Sequence, residues 1–166
     1  MNHLWAPWRM PYLTNDLNDN DSECIFCVKT NTEDDAAEHI LYRGEHCFVT
    51  LNLYPYTNGH LLVVPYTHTA KLEALSIEVA TGLMQTAQKA ITVLEAAYHP
   101  EAYNLGINQG AAAGAGVAGH LHMHIVPRWS GDTNYMTVIC DTRIIPEWID
   151  ETYKHLKKLW DEKYPQ

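Results

Sequence analysis

The sequence predicts an α+β fold: an antiparallel sheet of about five strands with helices packed on one face and a further helix at the C-terminal end. Short runs rich in β-branched and aromatic residues predict strands at 40–43, 47–53, 60–66, 102–108 and 120–126. Apolar residues recur at three- and four-residue spacings within 69–97, which is typical of an amphipathic helix. A second amphipathic pattern covers 146–163.

The strands at 47–53 and 60–66 are expected to form an antiparallel pair. The segment between them, YPYTNG, contains the Pro, Asn and Gly residues that favour turns. The strand at 40–43 is predicted to precede this pair across a turn at Gly44. The strand at 120–126 is expected to stop at Pro127.

Two features predict where the helices begin. Ser76, followed by Glu78, is a candidate cap that would divide 69–97 into a short helix and a long one. Pro146 is expected to open the last helix, and Glu147, Asp150 and Glu151 are interpreted as its solvated acidic N-terminus. The polar stretches at 14–23 and 29–39 are predicted to be loops.

Length and composition indicate one ordinary globular domain. The chain has 166 residues, of which 46% are hydrophobic and 19% charged. A net charge of −9 argues against a broad basic surface for nucleic acid polymers. The N-terminus lacks the apolar core of a signal peptide and every apolar run is too short to span a bilayer, so we expect a cytoplasmic protein without membrane contact.

The segment HLHMHIV carries three histidines at alternate positions. Side chains alternate faces along a strand, so His120, His122 and His124 are predicted to share one face. Burying three imidazoles is costly unless each is hydrogen-bonded or binds a metal, which indicates a function for them. The alternative is three incidental surface histidines on an edge strand.

A glycine–alanine segment, QGAAAGAGVAG, leads directly into the histidine strand. Its glycines allow backbone N–H groups to approach a ligand closely, and clustered N–H groups bind phosphate oxygens. The segment lacks the Lys-Ser/Thr ending of a P-loop. Taken alone it would be a flexible turn, but beside the histidines it predicts a phosphate held against imidazole.

The chain has four cysteines, and two of them form Cys24-Ile-Phe-Cys27. This spacing is typical of half a tetrahedral zinc site, and because no second pair exists the other ligands should be histidines. Unmetallated thiols remain an alternative. A thioredoxin-like redox pair is disfavoured because no βαβ unit follows. Cys47 and Cys140 are interpreted as buried small apolar residues.

Two motifs together resemble the histidine-triad (HIT) superfamily. One extends from Asn108 through the histidine strand to Trp129. The other is the strand pair from Leu51-Asn52-Leu53 through Gly59-His60 to Pro65 and His68. The resemblance covers residues 24–140 and implies a HIT-like fold. We therefore expect a single domain over 1–166, with an N-terminal arm and loop at 1–23, a core at 24–140 and a helical extension at 141–166.

The resemblance also implies a role for each matching residue. His122 matches the nucleophile of the superfamily, and His60 and His124 match its catalytic partners. Asn52, with its neighbour Leu53, matches the ribose site. Asn108 and Gly114-Ala115-Gly116 match the phosphate-binding loop, although many relatives have polar Gly-Gln-Ser/Thr there. The structural zinc ligands of zinc-bearing members match the following residues: Cys24, Cys27, His68 and His120.

The resemblance implies a nucleotide hydrolase or transferase that acts at the α-phosphate through a nucleotidyl-histidine intermediate. The segments at 4–13 and 127–136 resemble a bacterial branch that includes diadenosine tetraphosphate phosphorylases, which favours phosphorolysis to ADP and ATP. Hydrolysis of nucleoside phosphoramidates or asymmetric hydrolysis of dinucleoside polyphosphates remains open, as do a low-turnover nucleotide-sensing module and a cupin-like metalloenzyme. A homodimer is expected by resemblance, and the need for a divalent cation with the substrate is left open.

Several other residues have two interpretations each. Trp5, Trp8 and Tyr12 are expected to pack against the core or a partner subunit, and a nucleobase platform that also includes Trp129 is the alternative. Arg128 is a candidate phosphate ligand or an ordinary ion pair. His46 is interpreted as structural or exposed.

Overall fold

A computed structural model describes residues 24–140 and 144–165. Its five strands form one antiparallel sheet in the order β1-β2-β3-β5-β4. They are β1 (Ile40–Arg43), β2 (Cys47–Leu51), β3 (Leu61–Pro65), β4 (Ala102–Ile107) and β5 (Met123–Arg128). The fold class predicted from the sequence is confirmed.

The α-helices are α1 (Ile25–Asn31), α2 (Ile77–Tyr98), α3 (Tyr135–Val138) and α4 (Ile149–Lys163). Two short 3₁₀ turns lie at Leu72–Ala74 and Ala111–Ala113. No helix in these described ranges is both long and apolar enough to cross a membrane. Trp5, Trp8 and Tyr12 of the predicted N-terminal arm lie outside the described residues, so their expected packing stays a prediction.

Alternate side chains of the central strands divide the apolar core between the two faces of the sheet. On one face, Leu61 and Val63 of β3 pack with Ile125 of β5 beneath α2 and α4. On the other face, Leu62 and Val64 pack against Phe26 of α1. The long helices therefore lie on one face, as predicted, and the histidine-bearing face is covered by the short α1.

Helix α1 occupies part of a stretch that was predicted as a loop, so the prediction for 29–31 is wrong. The helix spans seven residues, and Val28 N–H donates to the carbonyl of Cys24 in its first turn. Its composition carries little helical signal, but burial of Phe26 (3% exposed) against the sheet holds it in place. Tertiary packing outweighs a weak local propensity here.

The prediction of a capped long helix is confirmed. The Ser76 side chain accepts a hydrogen bond from Val79 N–H at 3.3 Å, and α2 begins at the next residue, Ile77. The preceding short helix is a single 3₁₀ turn. The long helix presents Leu83, Ala87 and Leu94 to the core.

The last helix begins three residues later than Pro146, so its predicted start is wrong. Helix α4 begins at Ile149, and Glu147 lies before it rather than on a solvated face. One carboxylate oxygen of Glu147 accepts hydrogen bonds from Tyr98 (2.7 Å), Thr152 (2.6 Å) and Asn58 (3.2 Å). These bonds fix the segment before α4 against α2 and the β2–β3 loop.

Strand β5 is shifted relative to its predicted range of 120–126. It begins at Met123, which is the partner of Val63 in β3 and of Ile107, the last residue of β4, and Leu121 N–H donates instead to the carbonyl of Thr69 at 2.6 Å. It continues past Pro127 to Arg128. Strand β3 pairs with β5 only at Met123–Ile125. Pro127 lies beyond these pairs and is paired with β4 alone, so its missing N–H interrupts no ladder with β3.

Candidate active site and metal centre

The catalytic histidines predicted from the sequence come together on the sheet face opposite the long helices. His124 lies directly across from Leu62 in the β3–β5 ladder, and His60 immediately precedes β3. The ring centroid of His124 lies 4.9 Å from that of His122 and 5.2 Å from that of His60. His122 is 4% exposed and also contacts the Phe26 ring at 5.1 Å.

A single hydrogen bond fixes the tautomer of His122. Its Nδ1 lies 2.8 Å from the carbonyl oxygen of His120. A carbonyl oxygen only accepts hydrogen bonds, so Nδ1 carries the proton and donates. In the neutral ring the Nε2 lone pair is therefore free, which is the requirement for a nucleophilic imidazole.

The other two histidines form a chain with the opposite tautomer. Tyr56 backbone N–H donates to Nδ1 of His60 at 3.1 Å, and the Asn52 amide nitrogen lies 3.2 Å from the same atom. His60 therefore carries its proton on Nε2 and donates it to Nδ1 of His124 at 3.0 Å. His124 must in turn carry its own proton on Nε2. Adjacent histidines thus present a lone pair (His122) and an N–H donor (His124).

Burial keeps both of these histidines neutral at pH 7. Desolvation lowers the pKa of His122, and the hydrogen bond to the His120 carbonyl partly opposes this shift. Desolvation, together with the neighbouring His122, lowers the pKa of His124 to about 4. An unprotonated His122 is the form with a nucleophilic lone pair, so the lowered pKa favours nucleophilic chemistry at neutral pH.

The lowered pKa of His124 predicts a loss of stability in acid. Between pH 6.5 and about 4, His124 of the unfolded chain binds a proton that the folded protein excludes, so the free energy of unfolding falls as the pH falls through this window. Above pH 6.5 this contribution is fully present. We expect a His124→Asn variant to show a shallower dependence between pH 7 and 5, by about one proton, in urea unfolding. Equal slopes for the two proteins would contradict the assignment.

The four predicted zinc ligands form a second cluster next to the histidine site. The ligand atoms of Cys24, Cys27, His68 and His120 all lie within 4.8 Å of one another. Cys24 Sγ lies 3.3 Å from His120 Nδ1, and Cys27 Sγ lies 3.3 Å from His68 Nδ1. None of the four cysteines forms a disulfide in the structure, so no disulfide competes for this pair.

The geometry of this cluster fits a tetrahedral metal site. Zn–S and Zn–N bonds of about 2.3 and 2.0 Å give a sulfur–nitrogen tetrahedral edge of about 3.5 Å. The measured sulfur–nitrogen separations of 3.3, 3.3 and 3.7 Å bracket that value. His120 also donates from Nε2 to the carbonyl of Pro65 at 2.9 Å, which leaves its Nδ1 lone pair directed at the thiols.

Three elements of local structure bring these ligands together. Cys24 and Cys27 lie one turn apart at the start of α1, where the buried Phe26 ring contacts the ring of His120 at 5.4 Å. The hydrogen bond from Leu121 N–H to the Thr69 carbonyl joins the chain after β3 to the chain before β5. It therefore places His68 beside His120, with ring centroids 5.0 Å apart.

The residues predicted to contact ribose and phosphate lie in three separate segments of the chain. Asn52 lies against His60, and its Oδ1 accepts from Tyr54 N–H, while Leu53 is half exposed. Asn108 is partly buried at the end of β4. The segment Gly114-Ala115-Gly116 follows a 3₁₀ turn that ends at Gly114 with φ +88°. Their contacts with a ligand remain predictions.

A cavity of about 700 Å³ opens beside the histidines. His124 and Asn108 are the two predicted site residues that line it. Arg128 also lines the cavity, but its guanidinium pairs with Asp132 at 2.6 and 2.8 Å, which favours the ion-pair interpretation of this residue.

Sequence reasoning missed two contributors to this site, Phe26 and Tyr56, and it missed the contact that the predicted residue Asn52 makes with His60. Phe26 covers His120 and His122, the backbone of Tyr56 sets the His60 tautomer, and the side chain of Asn52 supports His60. The Cys-Ile-Phe-Cys motif could have indicated Phe26, since an aromatic residue between two ligands often packs beside the metal site. The backbone donor of Tyr56 could not be predicted, because every residue type except proline has a backbone N–H.

Comparison with known proteins settles the family. The model of the family described as HIT domain matches residues 33–131. The chain is a HIT protein. The superfamily predicted from the histidine motif is therefore confirmed.

Relatives of this HIT protein include two enzymes of dinucleoside polyphosphate metabolism. It is 38% identical to an AP-4-A phosphorylase of Mycobacterium tuberculosis, over 96% of this chain and 85% of the relative. It is 34% identical to an asymmetrical bis(5′-nucleosyl)-tetraphosphatase of Schizosaccharomyces pombe, over 58% of this chain and 50% of that protein. A Zn-bound histidine triad protein of Mycobacterium smegmatis superposes with a TM-score of 0.68 and 29% identity, over 85% of this chain and 95% of that one.

Proposed function

We propose that this HIT protein is an enzyme that transfers nucleotidyl groups from dinucleoside polyphosphates, with inorganic phosphate as the acceptor. The observation that carries the proposal is the pair of opposite tautomers, a free Nε2 lone pair on His122 beside an Nε2–H donor on His124. The 38% identity to an AP-4-A phosphorylase over nearly the whole chain supports the choice of substrate and acceptor.

In the first step, Nε2 of His122 attacks the α-phosphorus of diadenosine tetraphosphate. A P–N bond forms, the P–O bond to the β-phosphate breaks, and ATP leaves. The positive charge that develops on His122 is stabilised by the Nδ1–H bond to the His120 carbonyl, at 2.8 Å. A triphosphate leaving group is stable as an anion at neutral pH, so His124 can keep its proton and stabilise phosphoryl oxygens by donation.

In the second step, an oxygen of inorganic phosphate attacks the same phosphorus. The P–N bond breaks, its electron pair returns to Nε2 of His122, and ADP is released. His60 acts throughout as a positioning residue, because its Nε2–H bond to His124 keeps the donor tautomer in place. Backbone N–H groups of Gly114-Ala115-Gly116 and the side chain of Asn108 would bind the phosphates, and Asn52 with Leu53 would border the ribose.

Cys24, Cys27, His68 and His120 would hold a structural Zn²⁺. With four protein ligands such an ion has no open position, so it supplies rigidity rather than a Lewis acid. The support is the cluster itself and the Zn-bound relative of similar fold. His120 connects the metal cluster to the catalytic histidines, because the same residue contributes a metal ligand and the carbonyl that orients His122. A homodimer and a cytoplasmic location remain predictions.

Product analysis with diadenosine tetraphosphate tests the proposal. We expect ADP and ATP in equal amounts only when inorganic phosphate is present, resolved by ion-exchange chromatography. AMP and ATP in the absence of phosphate, with no ADP when phosphate is added, would instead identify an asymmetric hydrolase, the activity named for the Schizosaccharomyces pombe relative. No product under either condition would contradict the proposal and favour a nucleotide-binding module.

A further inference from the structure

The cavity beside His124 extends well beyond His124 and Asn108, the two lining residues that the proposed chemistry uses. Its floor is one face of the sheet, formed by alternate residues of two paired strands: Gly106 and Asn104 of β4, and His124 and Arg128 of β5. From His124 to Arg128 this floor is roughly 13 Å long, at about 3.3 Å per residue. This length is comparable to that of a nucleoside.

The walls of the cavity carry aromatic rings. Tyr56 lies nearly parallel to His124, with 18° between the rings and 5.8 Å between their centroids, and so continues the aromatic surface from the histidine site. Tyr98 and Trp129 also line the cavity. Aromatic rings of this kind stack on nucleobases.

The cavity offers no net positive charge to an anionic occupant. Among the described lining residues, the only formal charges are Arg128 and Asp132, and they neutralise each other in a two-bond ion pair. Apart from His124 and Asn108, the remaining polar lining consists of side-chain amides and hydroxyl groups. Such groups suit the edges of a base and the hydroxyls of a ribose rather than a phosphate chain.

The outer wall of the cavity belongs to a part of the chain beyond the family match. The HIT domain match ends at residue 131, whereas Asp132, Asn134, Ile144 and Pro146 all line the cavity. The cavity therefore combines the end of the shared fold with a C-terminal addition. An addition of this kind can alter substrate choice without altering the histidine chemistry.

We propose that this cavity binds the second nucleoside of a dinucleoside polyphosphate, the one that leaves as part of the nucleoside triphosphate. The inference rests on the proposed function and assigns a substrate subsite to it. The polyphosphate would run from His122 past His124, and the distal base would lie among Tyr56, Tyr98 and Trp129. An enzyme built in this way selects dinucleotides over mononucleotides of equal phosphate length.

The test compares diadenosine tetraphosphate with adenosine tetraphosphate, which differs only in lacking the second nucleoside. Gly106→Val fills the cavity, because a Cβ at Gly106 meets no atom within 4 Å and the backbone there is an ordinary strand. Trp129→Ala removes a ring from the far wall. Ala102→Val is the matched control, since Ala102 lies on the same strand, is exposed and is outside the cavity.

We expect the wild-type kcat/KM to favour the dinucleotide at least about tenfold, the range for stacking one base. Gly106→Val and Trp129→Ala should each reduce this preference to below about threefold, while Ala102→Val retains it. Equal turnover of both substrates by the wild type, or an unchanged preference in either cavity variant, would overturn the subsite. Turnover of neither substrate by the wild type would instead refute the proposed function itself.

Discussion

Replacing His122 by alanine is expected to lower turnover of diadenosine tetraphosphate by about 10⁴-fold or more, the range for loss of a nucleophile. The variant removes the imidazole whose Nδ1–H donates to the His120 carbonyl and whose Nε2 lone pair is therefore available to attack. Because His122 forms the covalent bond, kcat should fall far more than KM changes. Steady-state kinetics with and without inorganic phosphate measures both parameters.

His46→Gln is the matched control for this prediction. His46 is partly exposed, lies outside the histidine cluster and should tolerate the change with normal turnover. The zinc content of the His122→Ala protein should match the wild type, because the ring is not a member of the metal cluster. A folded, zinc-loaded His122→Ala protein that retains a tenth of wild-type kcat would exclude the nucleophile role.

Loss of the metal cluster is expected to lower both the thermal stability and the turnover of the protein. Wild-type protein prepared without chelators should contain one zinc ion per chain by mass spectrometry, and Cys24→Ser should contain almost none. We expect the variant to unfold at a Tm lower by roughly 6–12 °C, corresponding to about 3 kcal/mol. Turnover should fall as well, since His120 connects the metal cluster to the orientation of His122.

Cys140→Ser makes the same chemical change outside the cluster, at a cysteine that was predicted to be buried but is exposed in the structure. It should keep zinc, Tm and turnover at wild-type values. Chelation of the wild type should reproduce the Cys24→Ser behaviour, and readdition of zinc should reverse it only in the wild type. Wild-type protein without zinc, or a Cys24→Ser variant as stable as Cys140→Ser, would contradict the structural metal site.

Much of the fold could be predicted because its central elements depend on local patterns. The strands at Cys47–Leu51 and Leu61–Pro65 are continuous apolar runs around a clear turn, and the Ser76 cap specifies where α2 begins. Helix α1 was missed because long-range contacts stabilise it, namely the burial of Phe26 and the hydrogen bonds from Arg43 of β1 to carbonyls at the end of the helix. The late start of β5 depends on pairing with β4, which ends at Ile107, and on the bond from Leu121 N–H to Thr69; both are long-range contacts that the histidine motif does not encode.

The candidate site also has features that local sequence patterns predict and features that only the folded structure reveals. Side chains that carry chemistry, such as His122 and the cysteine pair, are visible in the sequence because their residue types and spacing are specific. The groups that set tautomers are backbone atoms of His120 and Tyr56, and almost any residue type would supply them. The cavity beyond His124 depends on the packing of residues distant in sequence, and no local motif encodes it.

Detection of the covalent intermediate is the sharpest test of His122 as the nucleophile. The protein would be mixed with diadenosine tetraphosphate in the absence of phosphate and quenched in alkali, because phosphorus–nitrogen bonds are labile in acid. Peptide mass spectrometry should then locate a single adenylyl group on His122 that disappears, with formation of ADP, when phosphate is added before the quench. An adenylyl group on another residue, or turnover without any adenylylated protein at the earliest times, would contradict the account.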